Sequence, residues 1–496
     1  MHDSTAEQNC IRKAAQLGLT ETALNITLFH MDMYGRDCLY VLPTIGDAGD
    51  FSAGRFSAAI DLSEHVKAMF SDVKNKGHKR AGAANLYIRG GKSASGLKSI
   101  PVGTLMLDEL DEMSDRAVSL AFERQSGYDE SQRCTWMIST PTIPRMGISA
   151  RFDVSTQEWF FFPCPHCGKQ ITLRWPESFE VCGDSVIDPR VKDSFIKCYE
   201  CKHKLDHETK PDWLAPGSYV EAYAGRPLRG FALNQMFSPT VTPEKFALQY
   251  LRGLSDPAAE QEFFNSKVGV PYVVEGGQVT DAMIESCVGS HMSGKCNENR
   301  PRSIGIDVGG HWLHYEVDEW VIKQTAGHDI NQSAKCIMIE SGKVKQFEDI
   351  DPIIKRLGVH FGVVDANPEK RKAYELATRH RDRFAISYYV GGSSTRQIKY
   401  SKEEATVKVD RTSWMDLSLG RFKNGSIRLP RDVSLEYRSQ IKEPARRFKV
   451  NNAGDTVGEY LAASDDHYAQ ARTYAEIALT TFLPTVAASH DMDNPV

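Results

Sequence analysis

The chain has 496 residues, 41 % of them hydrophobic and 25 % charged, and a formal net charge of −5. That length suits two or three domains of an ordinary globular protein, and the charge excludes a uniformly basic surface, so any phosphate-binding region has to be local. No apolar run reaches the ~20 residues that span a bilayer, and the amino terminus has neither the basic nor the apolar region of a secretory signal, so a cytosolic, membrane-free location is expected.

In chain order, the first signal is Lys13-Ala-Ala-Gln-Leu-Gly-Leu-Thr20, followed by a helical pattern over residues 22–33. The usual GxxxxGK[ST] phosphate loop is missing from the chain. Gly18 offers a tight turn, Thr20 a hydroxyl for Mg²⁺, and Leu19 stands where a lysine is usual. A helix cap at Gly18 explains the same letters. Strand-like apolar runs follow at 38–42, 86–88, 103–107 and 135–139, interleaved with amphipathic stretches. That alternation predicts βαβ units and a mostly parallel sheet. The third run delivers Asp108 and Glu109 to its carboxyl end. In an ATPase the first acid holds Mg²⁺, directly or through water, and the second polarises the attacking water. An acidic first turn of a helix reads the same way. Val41-Leu-Pro-Thr44 and Ser139-Thr140-Pro141-Thr142 are hydroxyl-rich turns at strand ends, where α/β sheets place ligands.

Eleven cysteines in a reducing compartment argue against a disulfide framework. Cys164, Cys167, Cys198 and Cys201 form CxxC–x30–CxxC, and four thiolates at such spacing make a closed structural Zn²⁺ site. His166 and His203 are weaker substitutes as ligands. The aromatic run 159–163 is expected to pack this small ribbon, and 171–175 to form a strand within it. Residues 216–300 read as a mixed connector.

A second α/β pattern begins at Ser303. Asp307 lies inside an apolar strand, where an unpaired acid is costly. Asp365 closes a similar strand 58 residues later, and Asp465 and Asp466 open a helical pattern over 464–483. Three carboxylates from two strands and a helix can converge on two Mg²⁺ or Mn²⁺ ions, which activate water and stabilise the leaving oxygen of a phosphodiester. Singly, each is also an ordinary strand-end or first-turn acid. Asp466 is preferred to Asp465 as the third ligand, with His467 beside it and Glu316 a weaker candidate.

The order of the pieces KAAQLGLTE, VLPT, FSAGRF (51–56), NLYIRGG (85–91), the acid pair and STPT resembles the large terminase subunit of tailed bacteriophages, in its lambda-like (GpA) branch. The resemblance implies an α/β chain with a P-loop-type parallel-sheet ATPase core (1–157) and a zinc-ribbon-like insertion (158–215). A connector ending the ATPase region (216–300), a ribonuclease-H-like nuclease domain (301–485) and a tail (486–496) follow. In that family the loop lysine sits early, which maps onto Lys13. Lys13, Gly18, Thr20 and Asp108 would then bind ATP with Mg²⁺, and Glu109 would be the catalytic carboxylate. Ser139, Thr140 and Thr142 would couple hydrolysis to movement. Asp307, Asp365 and Asp466 would hold the nuclease ions. The implied partners are double-stranded viral DNA, the small terminase subunit and the procapsid portal, on which the chain would act as a homo-oligomer in the host cytoplasm (or the bacterial cytoplasm, in a prophage). Family members carry more chain before the phosphate loop, including adenine-contacting residues, whereas here the loop begins at residue 13. Two alternatives stay open: an ATPase-defective or truncated relative acting only as a metal-dependent nuclease, and a zinc-ribbon helicase-like translocase.

Overall fold

Runs such as Cys38–Leu42 and Thr104–Asp108 are buried at every position, so the sheet that holds them is covered on both faces, as parallel sheets are. The computed structural model describes residues 4–70, 73–92, 94–297, 299–322, 334–390, 398–451 and 453–491. The chain divides into two units, Met1–Tyr272 and Val273–Val496. No helix among the described residues is long and apolar enough to cross a membrane.

In the first unit the parallel core runs Ala84–Gly90, Cys38–Leu42, Thr104–Asp108, Cys134–Ser139, Gln8–Lys13, Leu228–Leu233 and Glu158–Pro163. Antiparallel strands finish both edges. Gln8–Lys13 lies near the middle although its sequence is QNCIRK. Two of its polar side chains find partners inside: Asn9 donates to the Ala6 carbonyl at 3.0 Å, and the Arg12 guanidinium lies 4.0 Å over the Phe152 ring. Alternation in hydropathy, the usual strand signal, is therefore absent here. The following helix is Leu19–Tyr34, starting ahead of the expected residue 22.

Residues 216–300, expected as a connector ending the ATPase region, are split: Leu228–Leu233 pairs in parallel with Gln8–Lys13 inside the first unit's sheet, and the division between units falls after Tyr272. The aromatic run before the first CxxC is a strand of the main sheet, Glu158–Pro163, and it also packs the ribbon as expected, with Phe162 buried in one cluster with Phe179, Ile196 and Leu205. The ribbon itself is the three-stranded sheet Phe179–Glu180, Phe195–Lys197 and Lys204–Leu205. The strand expected at 171–175 shrinks to Gln170–Ile171, while Trp175 packs on Tyr250 and Phe263 with ring centroids 4.8 and 4.9 Å away.

The second unit is an eight-stranded sheet in the order Lys399–Ser401, Thr406–Val409, Phe384–Tyr389, Phe361–Asp365, Arg302–Val308, Leu313–Val321, Lys335–Val344, Ile427–Arg428. Arg302–Val308 is antiparallel to Leu313–Val321 and parallel to Phe361–Asp365. The last helix, His467–Asp491, starts and ends later than the expected 464–483, and residues 492–496 of the expected tail lie outside the described residues.

This helix crosses Arg302–Val308 at contact distance. Strand side chains of one face recur every second residue and those of one helix face every three or four, so 307, 305 and 303 meet 467, 471 and 475. His467 bonds Asp307, and Ser303 Oγ donates to the Ala475 carbonyl at 2.9 Å. Gly305 takes the middle contact, where a Cβ would fall 2.0 Å from the Ala471 carbonyl oxygen.

On the same face Arg472 is fully buried, with Nη1 2.7 Å from Glu316 and 2.9 Å from Asp318. Glu316 also accepts from the Tyr437 hydroxyl at 2.8 Å. These partners make Glu316 part of the core ion network and remove it from the candidate metal ligands. Burial, and then the neighbouring Asp318, push the Glu316 carboxyl up from 4.5 to about 8 against the pull of Arg472. The folded chain thus holds this proton more tightly than the unfolded chain does. The resulting stability is fully present below the unfolded value of 4.5 and is lost as pH rises toward 8. Thermal melts of wild type are expected to lose stability across that window, and Glu316→Gln, which mimics the protonated acid, to flatten the slope. Parallel pH profiles for the two proteins would remove Glu316 as the proton holder.

Candidate functional site

The carboxyl edge of the first unit's sheet collects three loops. Register places Arg12 opposite Ser139 and Asp108 opposite Ile138, so the strand ending in Ser139 lies between the strand ending in Lys13 and the one ending in Asp108. Lys13 Nζ, on a side chain only 6 % exposed, donates to Glu109 Oε1 at 2.8 Å and to Thr140 Oγ1 at 3.3 Å. Sequence positions 13, 109 and 140 therefore meet at one point. Gly18 stands at the start of the helix Leu19–Tyr34 with φ +74°, a left-handed conformation that favours glycine. It is an N-terminal turn, the arrangement that leaves helix N–H groups facing an anion. Leu19, at the usual lysine position, is buried in the core.

Asp108 is buried. One of its oxygens accepts from the Tyr40 hydroxyl at 2.8 Å, while Oδ1 has no hydrogen-bond partner. Burial first, and the Glu109 charge second, raise its pKa, opposed by Tyr40, Lys13 and the Thr20 hydroxyl. An unpartnered buried carboxylate oxygen beside a hydroxyl is a donor set suited to a hard cation such as Mg²⁺. Glu109 is different: its side chain is 38 % exposed and its backbone sits at φ 61°, ψ 54°. A left-handed glutamate costs of order 1–3 kcal/mol and persists where the surroundings hold it.

Asp111 belongs to the same edge and was missed by sequence reading. It accepts from the Thr142 amide at 3.1 Å, the Thr142 hydroxyl at 2.9 Å and the Ile148 amide at 2.7 Å, and its own amide donates to Ser139 Oγ at 3.1 Å. Burial raises it to about 6 against these bonds. It therefore fixes the 139–142 turn to the acid loop. Its signal was a third acid two residues after Glu109. Asn265 and Gln235, from the stretch read as connector, hold the same edge: Asn265 Nδ2 donates to the Pro141 carbonyl and Gln235 Nε2 to the Ala15 carbonyl. Neither had a sequence signal.

The four cysteines converge, with all Sγ atoms within 4.8 Å of one another and Cys164 to Cys201 at 3.9 Å. A tetrahedron with bonds of 2.3 Å has edges of about 3.8 Å, so the cage fits Zn²⁺. Both knuckles share one backbone: Cys164 N donates to Lys169 O and Gly168 N to Cys164 O, then Cys198 N to His203 O and Lys202 N to Cys198 O, all at 2.9 Å. The His203 amide is the main cause that lowers the Cys201 thiol to about 6. His166 and His203 stack on each other with centroids 4.4 Å apart.

In the second unit, parallel pairing of Ile306 with Val364 puts Asp307 and Asp365 at adjacent strand ends. Asp307 is raised chiefly by burial, and Asp365 is raised to about 6 by burial and then by Asp307. Two neighbouring acids, each pushed toward the neutral form, are the condition that a divalent cation relieves. From the helix, His467 makes the direct contact, Nδ1 to Asp307 Oδ2 at 2.7 Å, and that bond raises the imidazole's pKa. Asp466 is near enough to influence Asp307 electrostatically, but its own bonds go to Gln470 at 2.6 Å and Arg411 at 3.4 Å. Asp465 is 80 % exposed. His314, across the hairpin from Asp307, was not anticipated.

Residues 1–219 match the family of the phage terminase large subunit gpA, ATPase domain. The terminase large subunit of Enterobacteria phage P21 is 21 % identical over 308 residues, 55 % of this chain and 47 % of that protein, so the match spans about half the relative's length. Among solved structures, the large terminase of bacteriophage HK97 superposes with a TM-score of 0.52 at 10 % identity, over 96 % of this chain and 91 % of that one. That likeness is one of fold, and it extends through both units.

Proposed function

We propose that this relative of the phage terminase large subunits is itself one. Its first unit is an ATP-driven motor that moves viral double-stranded DNA into procapsids, and its second unit is a metal-dependent endonuclease that cuts concatemers. The observation that carries the reading is the meeting of Lys13, Glu109 and Thr140 at the carboxyl edge. In this mechanism Lys13 exchanges Glu109 for the β- and γ-phosphates. The released carboxylate orients the attacking water, and Thr140, which shared the lysine, feels the change. Asp111 carries that change through Thr142 to the Ile148 amide. Asp108 and Thr20 would hold Mg²⁺, which neutralises developing phosphate charge. Lys13 weighs against the nuclease-only alternative, because it brings an ammonium to the site although Leu19 is apolar.

In the second unit Asp307, Asp365 and Asp466 would hold Mg²⁺ or Mn²⁺, which supplies an activated water for phosphodiester cleavage. Cys164, Cys167, Cys198 and Cys201 would hold a structural Zn²⁺. The small subunit, the portal and further copies of the chain are the expected partners.

Purified chain is expected to hydrolyse ATP faster with linear double-stranded DNA than without, and to nick plasmid DNA when Mn²⁺ is added. Nicking without ATP hydrolysis would install the nuclease-only reading, and neither activity would overturn both. One zinc per chain is expected by elemental analysis. Cys198→Ser should lose it and expose the ribbon to proteolysis between residues 164 and 205; a metal-free chain with an intact ribbon would sink the zinc assignment.

A further inference from the structure

We infer that Lys343 and Lys345, gathered on the Trp312 ring, clamp a backbone phosphate of duplex DNA beside the strand-end acids of the second unit. The inference deepens the nuclease reading by naming where the substrate strand is gripped, and it rests on that reading for its role in cleavage.

Strand register sets the clamp next to the acids. Asp307 pairs with His314 across the hairpin, and His314 pairs with Lys343 on the third strand, Lys335–Val344. Opposed residues share a face of a sheet, so one row runs from carboxylate to imidazole to ammonium. Neighbouring strands lie about 4.8 Å apart, which sets the Lys343 backbone about 10 Å from that of Asp307. DNA advances about 3.4 Å per nucleotide, so a phosphate on Lys343 lies within about three nucleotides of a bond held at the acids.

The turn of the hairpin builds the next row. Gly309 N donates to the Trp312 carbonyl at 3.0 Å, and Leu313 pairs with Val344, so one further step brings Trp312 level with Lys345. Trp312 is 36 % exposed. The Lys345 ammonium lies 5.2 Å from its ring centroid and the Lys343 ammonium 5.4 Å, both within cation–π range. Two like charges gathered on one ring repel each other, and an anion bound by both removes that cost. Phosphate is such an anion, and lysine meets it as a point charge.

Glu436 holds that place in the chain alone. Lys343 Nζ donates to Glu436 Oε1 at 2.6 Å, and the two side chains are 35 % and 43 % exposed. An exposed ion pair is weak, so a phosphate replaces the carboxylate at little cost. Lys345 makes no ion pair among the described residues. The competing account is a solvated hairpin tip whose lysines meet nothing but water.

The test is binding of a short fluorescent duplex by the full chain, without ATP or added divalent cation, over a range of salt. Each lysine–phosphate contact steepens the logarithmic salt dependence by about 0.9, so Lys343→Gln combined with Lys345→Gln is expected to flatten the wild-type slope by about 2. The effect should be equal for two duplexes of unrelated sequence, since phosphate contacts carry no sequence information. Glu436→Gln is expected to raise affinity by about two- to fivefold, the scale of an exposed ion pair, and that gain should vanish once Lys343 is replaced by Gln. Misfolding cannot produce a gain, so this arm decides even where the double variant is unstable. Trp312→Leu is expected to weaken binding and Trp312→Phe, which keeps a ring, to spare it; equal affinities in all three proteins would remove the ring from the clamp. An unchanged slope in the double variant, or a Glu436→Gln gain that is absent or persists without Lys343, overturns the inference. The two readings fail separately: a flattened slope in a chain that does not nick plasmid DNA with Mn²⁺ removes the nuclease role, and nicking with an unchanged slope removes only the clamp.

Discussion

Glu109→Gln is expected to lower DNA-stimulated ATP hydrolysis by about 10²–10⁴-fold, the range lost with a positioned proton acceptor. The side chain keeps its length and can still accept from Lys13, so nucleotide affinity should change little. What disappears is the charge that polarises water. Glu109 is partly exposed and lies outside the buried core, so the loss should come without a fall in melting temperature. Steady-state phosphate release at saturating ATP, with a nucleotide-binding titration alongside, reads both quantities. A variant that hydrolyses ATP as fast as wild type would remove Glu109 from the chemistry, and with it the proposed exchange of Lys13.

Asp307→Asn is expected to abolish Mn²⁺-dependent nicking of plasmid DNA while sparing ATP hydrolysis. Metal activation supplies several kcal/mol of transition-state stabilisation, which corresponds to roughly a thousandfold or more in rate. Asp307 is buried, and burial is the main cause that raises its pKa. The isosteric neutral amide should therefore fold at least as well as the acid, which separates lost chemistry from lost structure. His467 would also lose the partner that raises its pKa. Supercoiled-to-nicked conversion against time, with Mn²⁺ varied, is the measurement; unchanged cutting would take Asp307 out of the site.

The amino-acid pattern was informative where a motif is local. The acid pair follows a fully apolar strand, the cysteines carry their spacing in four letters each, and Asp307 and Asp365 close apolar runs of their own. It was silent where a residue earns its role through a distant neighbour. Gln8–Lys13 hid because its polar side chains find partners inside the fold. Leu228–Leu233 looked like connector because nothing local says that a strand slots beside one more than 200 positions earlier. Asp111, Asn265, Gln235 and His314 are ordinary letters until the loops of four strands are brought to one edge or a hairpin is closed.

By itself, then, the order of residues pointed to the α/β class and the cysteine quartet through periodicity and spacing of a few residues, and to the family and its two acidic centres through resemblance in the order of motifs. Only the tertiary structure decided which partners those groups meet. Lys13 reaches Glu109 across 96 positions of chain, and His467 stands in front of Asp466 at Asp307. The cause is physical: side-chain chemistry acts over about 3 Å, and strand order, register and a glycine-wide helix crossing at Gly305 set those distances.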